Sequence, residues 1–237
     1  MLSLALILAL SYLLGSVPFS LVVARAMGVD LRAHGSGNAG ATNAMRVLGK
    51  GPGALVFALD LLKGLMATVL VARLRLGGEE LAFLGTHADT WAMVLAGTAA
   101  MLGHVFTVTG RLFFGSFKGG KGVATGTGML LGLIPVAIGV AFVLFVGVVW
   151  ATRYVSLGSM LGALSLPVTL AVQQFAFGAR PAPPVWAFAL AVPLFIVWTH
   201  RENVRRLMQG TEARITDPGR GRRDGEPVPG AASGDGR

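Results

Sequence analysis

Long apolar runs separated by short polar segments dominate the chain. Five runs each approach the roughly 20 residues that one helix needs to cross a bilayer: 2–23, 52–72, 91–109, 157–175 and 185–199. The run 123–150 is too long for one crossing and short for two, and Pro135 interrupts it. We expect it to form two short, tilted helices, because the polar loops on either side can then share one face. The pattern predicts an all-α polytopic membrane protein with about seven transmembrane helices, some short or broken.

The chain is predicted to consist of one transmembrane domain and a short C-terminal tail. Residues 1–214 form a single predicted transmembrane domain, and residues 215–237 form a polar tail rich in Gly, Pro, Arg and Asp. The tail lacks apolar periodicity and is predicted to be disordered. The N-terminus is apolar from Leu2 without a basic segment before it, so we interpret it as a retained first helix rather than a signal peptide.

Composition and charge fit a membrane protein and set its orientation. The chain is 54% hydrophobic and 13% charged, and its net charge is +9. Loops 24–51, 110–122 and 151–156 hold eight Lys and Arg residues, against three in 73–90 and 176–184. The positive-inside rule therefore predicts glycine-rich cytoplasmic loops, a cytoplasmic C-terminus and an N-terminus outside. The same rule explains the positive charge without nucleic-acid binding. The absence of cysteine excludes disulfides and a thioester mechanism.

The first glycine-rich loop, 35–46, is small and polar although it lies between two apolar runs. Its candidate ligands are Ser36, Gly37, Asn38, Thr42, Asn43 and Arg46. Small residues allow backbone N–H groups to face an anion, and Arg46 adds a forked cation. The segment 35–40 matches the G-x-G-x-x-G pattern, but it follows a membrane helix rather than a strand, which disfavours a dinucleotide site. A tight loop needed only for packing is the alternative.

The second glycine-rich loop, 115–122, nearly matches a P-loop. Its candidate ligands are Lys118, Gly119, Gly120, Lys121 and Gly122. Gly122 stands where a P-loop has the Ser or Thr that holds magnesium. The loop therefore indicates a phosphate site without a metal ion, although two interfacial lysines contacting lipid head groups would look similar.

Four further pairs of polar residues lie outside these loops. His200 and Asn203 share a face of the basic helix predicted after the last span, and Ser156 lies close to Arg153 at a predicted inner helix end. Asp60 and Lys63 lie within the second span, on one face of the helix. This pair either has a functional role or only locks helix packing. His87 and Asp89 are more typical of a solvated loop than of a metal site.

Together these segments resemble the bacterial acyl-phosphate:glycerol-3-phosphate acyltransferases, the PlsY family. The resemblance runs in register from about residue 15 to residue 214. It is carried by 35–46 with 49–50 and 60–64, by 103–106 leading into 117–125, by 153–157, and by 200–203 with 210–212. The chain departs from the family pattern in the extra residues 109–115 and in Gly158, where a serine is expected.

The resemblance implies that a fatty acyl group moves from acyl phosphate to the 1-hydroxyl of glycerol 3-phosphate, giving lysophosphatidic acid and phosphate. It implies catalytic roles for Ser36, Arg46, Lys121, His200 and Asn203, and substrate binding by Gly37, Asn38, Thr42, Asn43, Lys118, Gly119, Gly120, Gly122 and Ser156. Backbone N–H groups of 119–122 are the expected cradle for one phosphate. Either His200 or a substrate phosphate is the expected base.

Further expectations follow for the surroundings of the enzyme. No cofactor and no metal are expected. The expected partners are glycerol 3-phosphate, acyl phosphate, membrane lipid and an upstream enzyme that produces acyl phosphate, in a bacterial cell inner membrane. A transporter of phosphorylated solutes is the alternative, since broken helices with glycine-rich turns also form anion sites in carriers.

Overall fold

The computed structural model describes residues 1–76 and 81–216, which are mainly helical with one isolated β-bridge, between Phe106 and Lys118. The helices are α1 Leu2–Ser16, α2 Phe19–Ala26, α3 Ala41–Leu48, α4 Lys50–Val69, α5 Ala88–Val105, α6 Val108–Phe114, α7 Val123–Leu131, α8 Pro135–Thr152, α9 Val155–Phe177, α10 Pro183–Thr199 and α11 Arg201–Met208. Short 3₁₀ turns cover Val71–Arg73 and Ala82–His87. The predicted tail lies outside the described residues from position 217 onward.

Long apolar helices confirm the predicted class, an all-α membrane protein. Within the described residues, four helical stretches are long and apolar enough to span a membrane: Leu2–Ala26, Lys50–Arg73, Pro135–Thr152 and Val155–Phe177. α10 and α11 make a fifth if counted together, with a bend of 59° between them. The predicted break near Pro135 is confirmed, because α7 ends at Leu131 and α8 begins at Pro135. The count of seven crossings stays a prediction.

Proline also divides the first apolar run, which the pattern treated as one helix. α1 ends at Ser16 and α2 begins at Phe19, on either side of Pro18. Proline lacks a backbone N–H and its ring crowds the preceding turn, so a helix breaks there. At this break the Val17 carbonyl accepts from the Phe19 N–H at 3.1 Å and from the Lys63 ammonium at 2.9 Å.

Glycines set the closest helix contacts. A Cβ added at Gly15 or Gly103 would lie 2.0 or 2.2 Å from a backbone oxygen across the α1–α5 interface. At Gly64 and Gly128, across the α4–α7 interface, the distances would be 2.0 and 1.8 Å. Small residues let membrane helices approach closely, and dispersion contacts between backbones then stabilise the pair. These two interfaces hold α5 and α7 on either side of the second glycine-rich loop.

Two helices occupy segments that the sequence pattern assigned to loops. α3 contains Thr42, Asn43 and Arg46, and α6 covers most of the extra residues 109–115. The N-terminus of α6 is capped by Thr107, whose hydroxyl accepts the Gly110 N–H at 2.9 Å. Both helices are too short for an apolar run to reveal them; α6 has the Thr107 cap, whereas α3 has no side-chain cap and packs against α4.

Candidate functional site

Four polar segments meet at one end of the helix bundle. Four hydrogen bonds join them: Arg32 Nη2 to the Lys118 carbonyl (2.9 Å), Arg46 Nη2 to the Ala213 carbonyl (3.1 Å), Thr199 Oγ1 to the Lys121 carbonyl (3.0 Å), and the Ile215 N–H to the Arg153 carbonyl (2.8 Å). We call the region around Lys121, His200 and Asn203 the polar site. The four segments, far apart along the chain, thus form one region.

Lys121 joins the second glycine-rich loop to α11. Its ammonium donates to Asn203 Oδ1 at 2.5 Å, and Asn203 is buried. Burial lowers the pKa of Lys121 to about 8, although the Glu212 carboxylate partly offsets this effect. Arg206 and Arg46 also lower it by repulsion. Lys121 therefore carries its charge at neutral pH, in surroundings where a bound anion would be favourable.

His200 lies at the bend between α10 and α11 and is 3% exposed. Its Nδ1 lies 2.8 Å from the Ile196 carbonyl, and because a carbonyl can only accept, Nδ1 carries the proton. Burial, followed by repulsion from Lys121, lowers the pKa of His200 to about 4. At neutral pH the imidazole is uncharged, and Nε2 can accept a proton.

Glu212 organises the polar site, although the sequence pattern did not predict it as a site residue. It is buried, and it accepts hydrogen bonds from Ser156 Oγ (2.7 Å), Asn203 Nδ2 (2.6 Å) and Arg206 Nε (2.7 Å). Burial alone would raise the pKa of Glu212, but these three hydrogen bonds outweigh it and lower the pKa. Ser156 and Asn203 are therefore oriented by a carboxylate. The one sequence feature that could have identified Glu212 is its position in the segment 210–212, which contributes to the family resemblance.

The backbone N–H groups of the second glycine-rich loop do not form the phosphate cradle that the sequence predicted. The Gly119 N–H donates to the Val105 carbonyl at 2.9 Å, and the Gly120 N–H donates to the His104 carbonyl at 3.2 Å. These carbonyls belong to the last turn of α5, which leaves carbonyls unpaired. The N–H groups of Gly119 and Gly120 therefore hold the loop on α5 and do not face a ligand. Gly122, with φ of 82°, begins α7 in a conformation that favours glycine.

Asn43 holds the first glycine-rich loop in place, whereas the sequence predicted that it binds substrate. Asn43 is buried and donates to the carbonyls of Leu31 and His34, both at 3.2 Å, while its Oδ1 accepts the Ser36 N–H at 2.8 Å. Its amide hydrogens are used within the loop, so Asn43 orients the loop rather than a substrate. Ser36 itself is exposed.

The remaining residues of the first two motifs surround the contact between the loops. Gly37, Asn38, Thr42 and Arg46 are half-buried, and Lys118 is exposed. A Cβ added at Gly40 would lie 3.9 Å from the Gly120 Cα, so the two loops touch. Arg32, which was not among the predicted site residues, strengthens this contact by donating to the carbonyl of Lys118.

Metal ligands are not grouped in the part of the chain that the structure describes. No cluster of three or more His, Cys, Asp or Glu residues suitable for a metal ion occurs there. Asp89 instead lies 2.7 Å from Arg75, as an exposed ion pair. The sequence favoured a solvated loop for His87 and Asp89, but the structure places His87 at the end of a 3₁₀ turn and Asp89 in the first turn of α5.

Within the described residues, a bundle of apolar helices with a polar, cation-rich site at one end is typical of an integral membrane protein that binds anions. The family model "Glycerol-3-phosphate acyltransferase" matches residues 5–210. A relative of that name from Geobacter sulfurreducens is 44% identical and covers 91% of this chain and 99% of its own. Another, from Pelodictyon phaeoclathratiforme, is 41% identical and covers 91% of this chain and 98% of its own.

Solved structures agree with this match. The chain resembles crystal structures of PlsY (YgiH), an integral membrane glycerol 3-phosphate acyltransferase. The glycerol 3-phosphate form gives a TM-score of 0.74 at 39% identity, covering 90% of this chain and 95% of the solved one. The lysophosphatidic acid form gives 0.72 at 38% identity, with the same coverage. The chain belongs to the glycerol-3-phosphate acyltransferase family, and it is an acyltransferase.

Proposed function

We propose that the protein transfers a fatty acyl group from acyl phosphate to the 1-hydroxyl of glycerol 3-phosphate. The products are lysophosphatidic acid and inorganic phosphate. The observation that carries the proposal is the junction of Lys121, Asn203 and His200, where a cation and a neutral imidazole lie side by side. The solved relative in a glycerol 3-phosphate form supports the acceptor.

The proposed reaction needs no covalent intermediate on the enzyme. The 1-hydroxyl oxygen attacks the acyl carbonyl carbon, the bond between that carbon and the bridging phosphate oxygen breaks, and phosphate leaves with the bonding electrons. The hydroxyl proton passes to His200 Nε2 or to a substrate phosphate oxygen. Because phosphate is a good leaving group, the protein contributes mainly orientation and charge stabilisation.

Each polar side chain has a proposed role in this scheme. Lys121, with Arg46 nearby, stabilises phosphate charge, and Ser36 and Asn203 donate or accept hydrogen bonds at the reacting groups. Ser156, held by Glu212 at 2.7 Å, faces substrate through the same network. Further proposed contacts come from Gly37, Asn38, Thr42, Lys118 and Gly122. The low pKa of His200, about 4, keeps its imidazole uncharged and able to accept a proton at neutral pH.

The proposed setting is a bacterial inner membrane, with the polar site on the cytoplasmic side and residues 1–214 as one catalytic domain. Acyl phosphate is an activated, amphipathic donor, so an upstream enzyme that makes acyl phosphates must supply it. A transporter would bring polar motifs to the bilayer midplane from both sides. Here the four polar segments meet at one end of the bundle, which favours the enzyme.

A donor assay tests the proposal directly. Purified protein in detergent is given labelled glycerol 3-phosphate and either acyl phosphate or acyl-CoA, and labelled lysophosphatidic acid is measured. We expect product with acyl phosphate and none above background with pure acyl-CoA. Comparable rates with acyl-CoA alone would refute the donor assignment.

Matched variants connect the activity to the polar site. Lys121→Ala removes a half-buried cation, and we expect kcat/KM to fall by at least about 30-fold, corresponding to about 2 kcal/mol of transition-state stabilisation. Arg180→Ala also removes one positive charge, from the exposed connector between α9 and α10. It should retain the wild-type rate. Equal losses in both variants would mean that net charge, rather than the polar site, controls activity.

A further inference from the structure

A buried polar cluster lies next to the site, inside the helix bundle. Asp60, Lys63 and His104 are 2%, 1% and 6% exposed. The Lys63 ammonium lies 2.8 Å from Asp60 Oδ1, and His104 Nδ1 lies 3.5 Å from the same oxygen. Burying ionisable side chains within a membrane costs free energy, so a cluster of three such residues indicates a functional role.

The cluster reaches the backbone at two points. Lys63 donates to the Val17 carbonyl, which lies at the break between α1 and α2. At the opposite end, the His104 ring lies against Gly120, because a Cβ added there would fall 2.1 Å from Nε2. The same Cβ would also lie 3.0 Å from the Ala39 carbonyl of the first glycine-rich loop. The imidazole therefore lies between the Asp60 carboxylate and the second glycine-rich loop.

This contact precedes Lys121 by one residue. The Gly119 and Gly120 N–H groups already donate to the end of α5. These hydrogen bonds and the His104 side chain together restrict movement of the second glycine-rich loop. A movement of Gly120 would carry Lys121 with it and change its 2.5 Å hydrogen bond to Asn203. A displacement of about 1 Å in such a group costs about 100-fold in rate.

We propose that Asp60, Lys63 and His104 are positioning residues, which hold Gly120 and thereby Lys121 in place for acyl transfer. The inference rests on the proposed function only in using acyl transfer as its readout. If wild-type protein forms lysophosphatidic acid from acyl phosphate, the donor assignment stands whatever the variants below do.

A double-mutant cycle tests the contact between His104 and Gly120. Gly120→Ala should lower kcat/KM by about 100-fold in the wild-type background, because the new methyl group meets the imidazole. In the His104→Ala background, where the ring is gone, the same substitution should cost clearly less. An equal or larger loss in that background would overturn the proposal.

Gly119 provides the matched control. A Cβ there would lie 1.9 Å from the backbone oxygen of His104, which truncating the side chain does not remove. Gly119→Ala should therefore cost the same in both backgrounds. If His104→Ala rescued it as well, the effect would be general loosening of the loop, and the proposal would fail. If His104→Ala does not fold in detergent, His104→Asn carries the same cycle, because its amide nitrogen can occupy the place of Nδ1 beside Asp60.

A second pair of variants tests the Asp60 end of the cluster. Asp60→Asn/Lys63→Met and Asp60→Leu/Lys63→Met both remove the two charges together, so neither leaves an unpaired ion. Only the first retains an oxygen that can accept from His104 Nδ1. We expect the Asn form to retain at least about fivefold more kcat than the Leu form at matched thermal stability. Equal kcat values would restrict the cluster to helix packing and overturn the positioning role.

Discussion

Replacing Lys121 by Arg should change the pH dependence of the enzyme at alkaline pH. Burial lowers the pKa of Lys121 to about 8, so this lysine loses its proton, and its charge, as the pH rises through that value. A neutral amine cannot stabilise a phosphate. An Arg guanidinium stays charged throughout the accessible range. The wild-type rate should therefore fall above pH 8, and that fall should be absent from Lys121→Arg.

The size of the effect follows from the pKa of about 8. Such a group is about 90% protonated at pH 7 and about 10% at pH 9, so kcat/KM should fall about tenfold over this interval. Ionisation of glycerol 3-phosphate does not interfere, because the second pKa of such a phosphate ester, near 6, lies below the interval. Lys121→Arg should be slower overall, since a planar fork replaces a point charge, but its profile should be flat.

The assay measures initial rates of lysophosphatidic acid formation between pH 6 and 9.5, at low glycerol 3-phosphate, with the enzyme-free rate subtracted. Lys118→Arg is the control, because it makes the same exchange at an exposed position in the same loop. It should retain the alkaline fall. If Lys121→Arg retained it too, at the same pH, another group would be responsible and the role of Lys121 as the essential cation would be wrong.

Three further predictions concern the fold, the site and the topology. Glu212→Gln should lower the free energy of unfolding by about 1–3 kcal/mol, because buried donors lose a charged acceptor; unchanged thermal unfolding in detergent would contradict this. Gly64→Ala places a methyl group 2.0 Å from a backbone oxygen of α7 and should cost about 1–3 kcal/mol, whereas Gly139→Ala meets nothing within 4 Å and should be tolerated. Because the chain has no cysteine, Ala182→Cys should react with an impermeant reagent from outside intact cells and Lys118→Cys should not; the reverse pattern would invert the proposed orientation.

The sequence predicted the helices that membrane insertion requires, and it also predicted which motifs meet. Apolar length located α4, α8 and α9 within a few residues, and Pro135 located the break before α8. These features depend on local composition, because only a sufficiently long apolar helix can span the bilayer. The Asp60–Lys63 pair was also predictable, because helical periodicity alone puts both residues on one face.

Contacts between distant segments were not predictable in the same way. The roles of Asn43 and Glu212 depend on which carbonyls and amides the fold brings within 3.2 Å of them. The glycines at 119 and 120 looked like a phosphate cradle because glycine spacing does not reveal the direction of an N–H group. That direction is decided by the unpaired carbonyls at the end of α5.

The position of Glu212 has a consequence for the timing of activity during synthesis. Residues 211–215 follow α11, yet they contact Ser156, Arg46 and Arg153, which are made much earlier. A nascent chain can insert its apolar helices as each leaves the ribosome. Its polar site stays incomplete until this last segment arrives and folds back. Acyl transfer is therefore expected only in chains translated past Ile215.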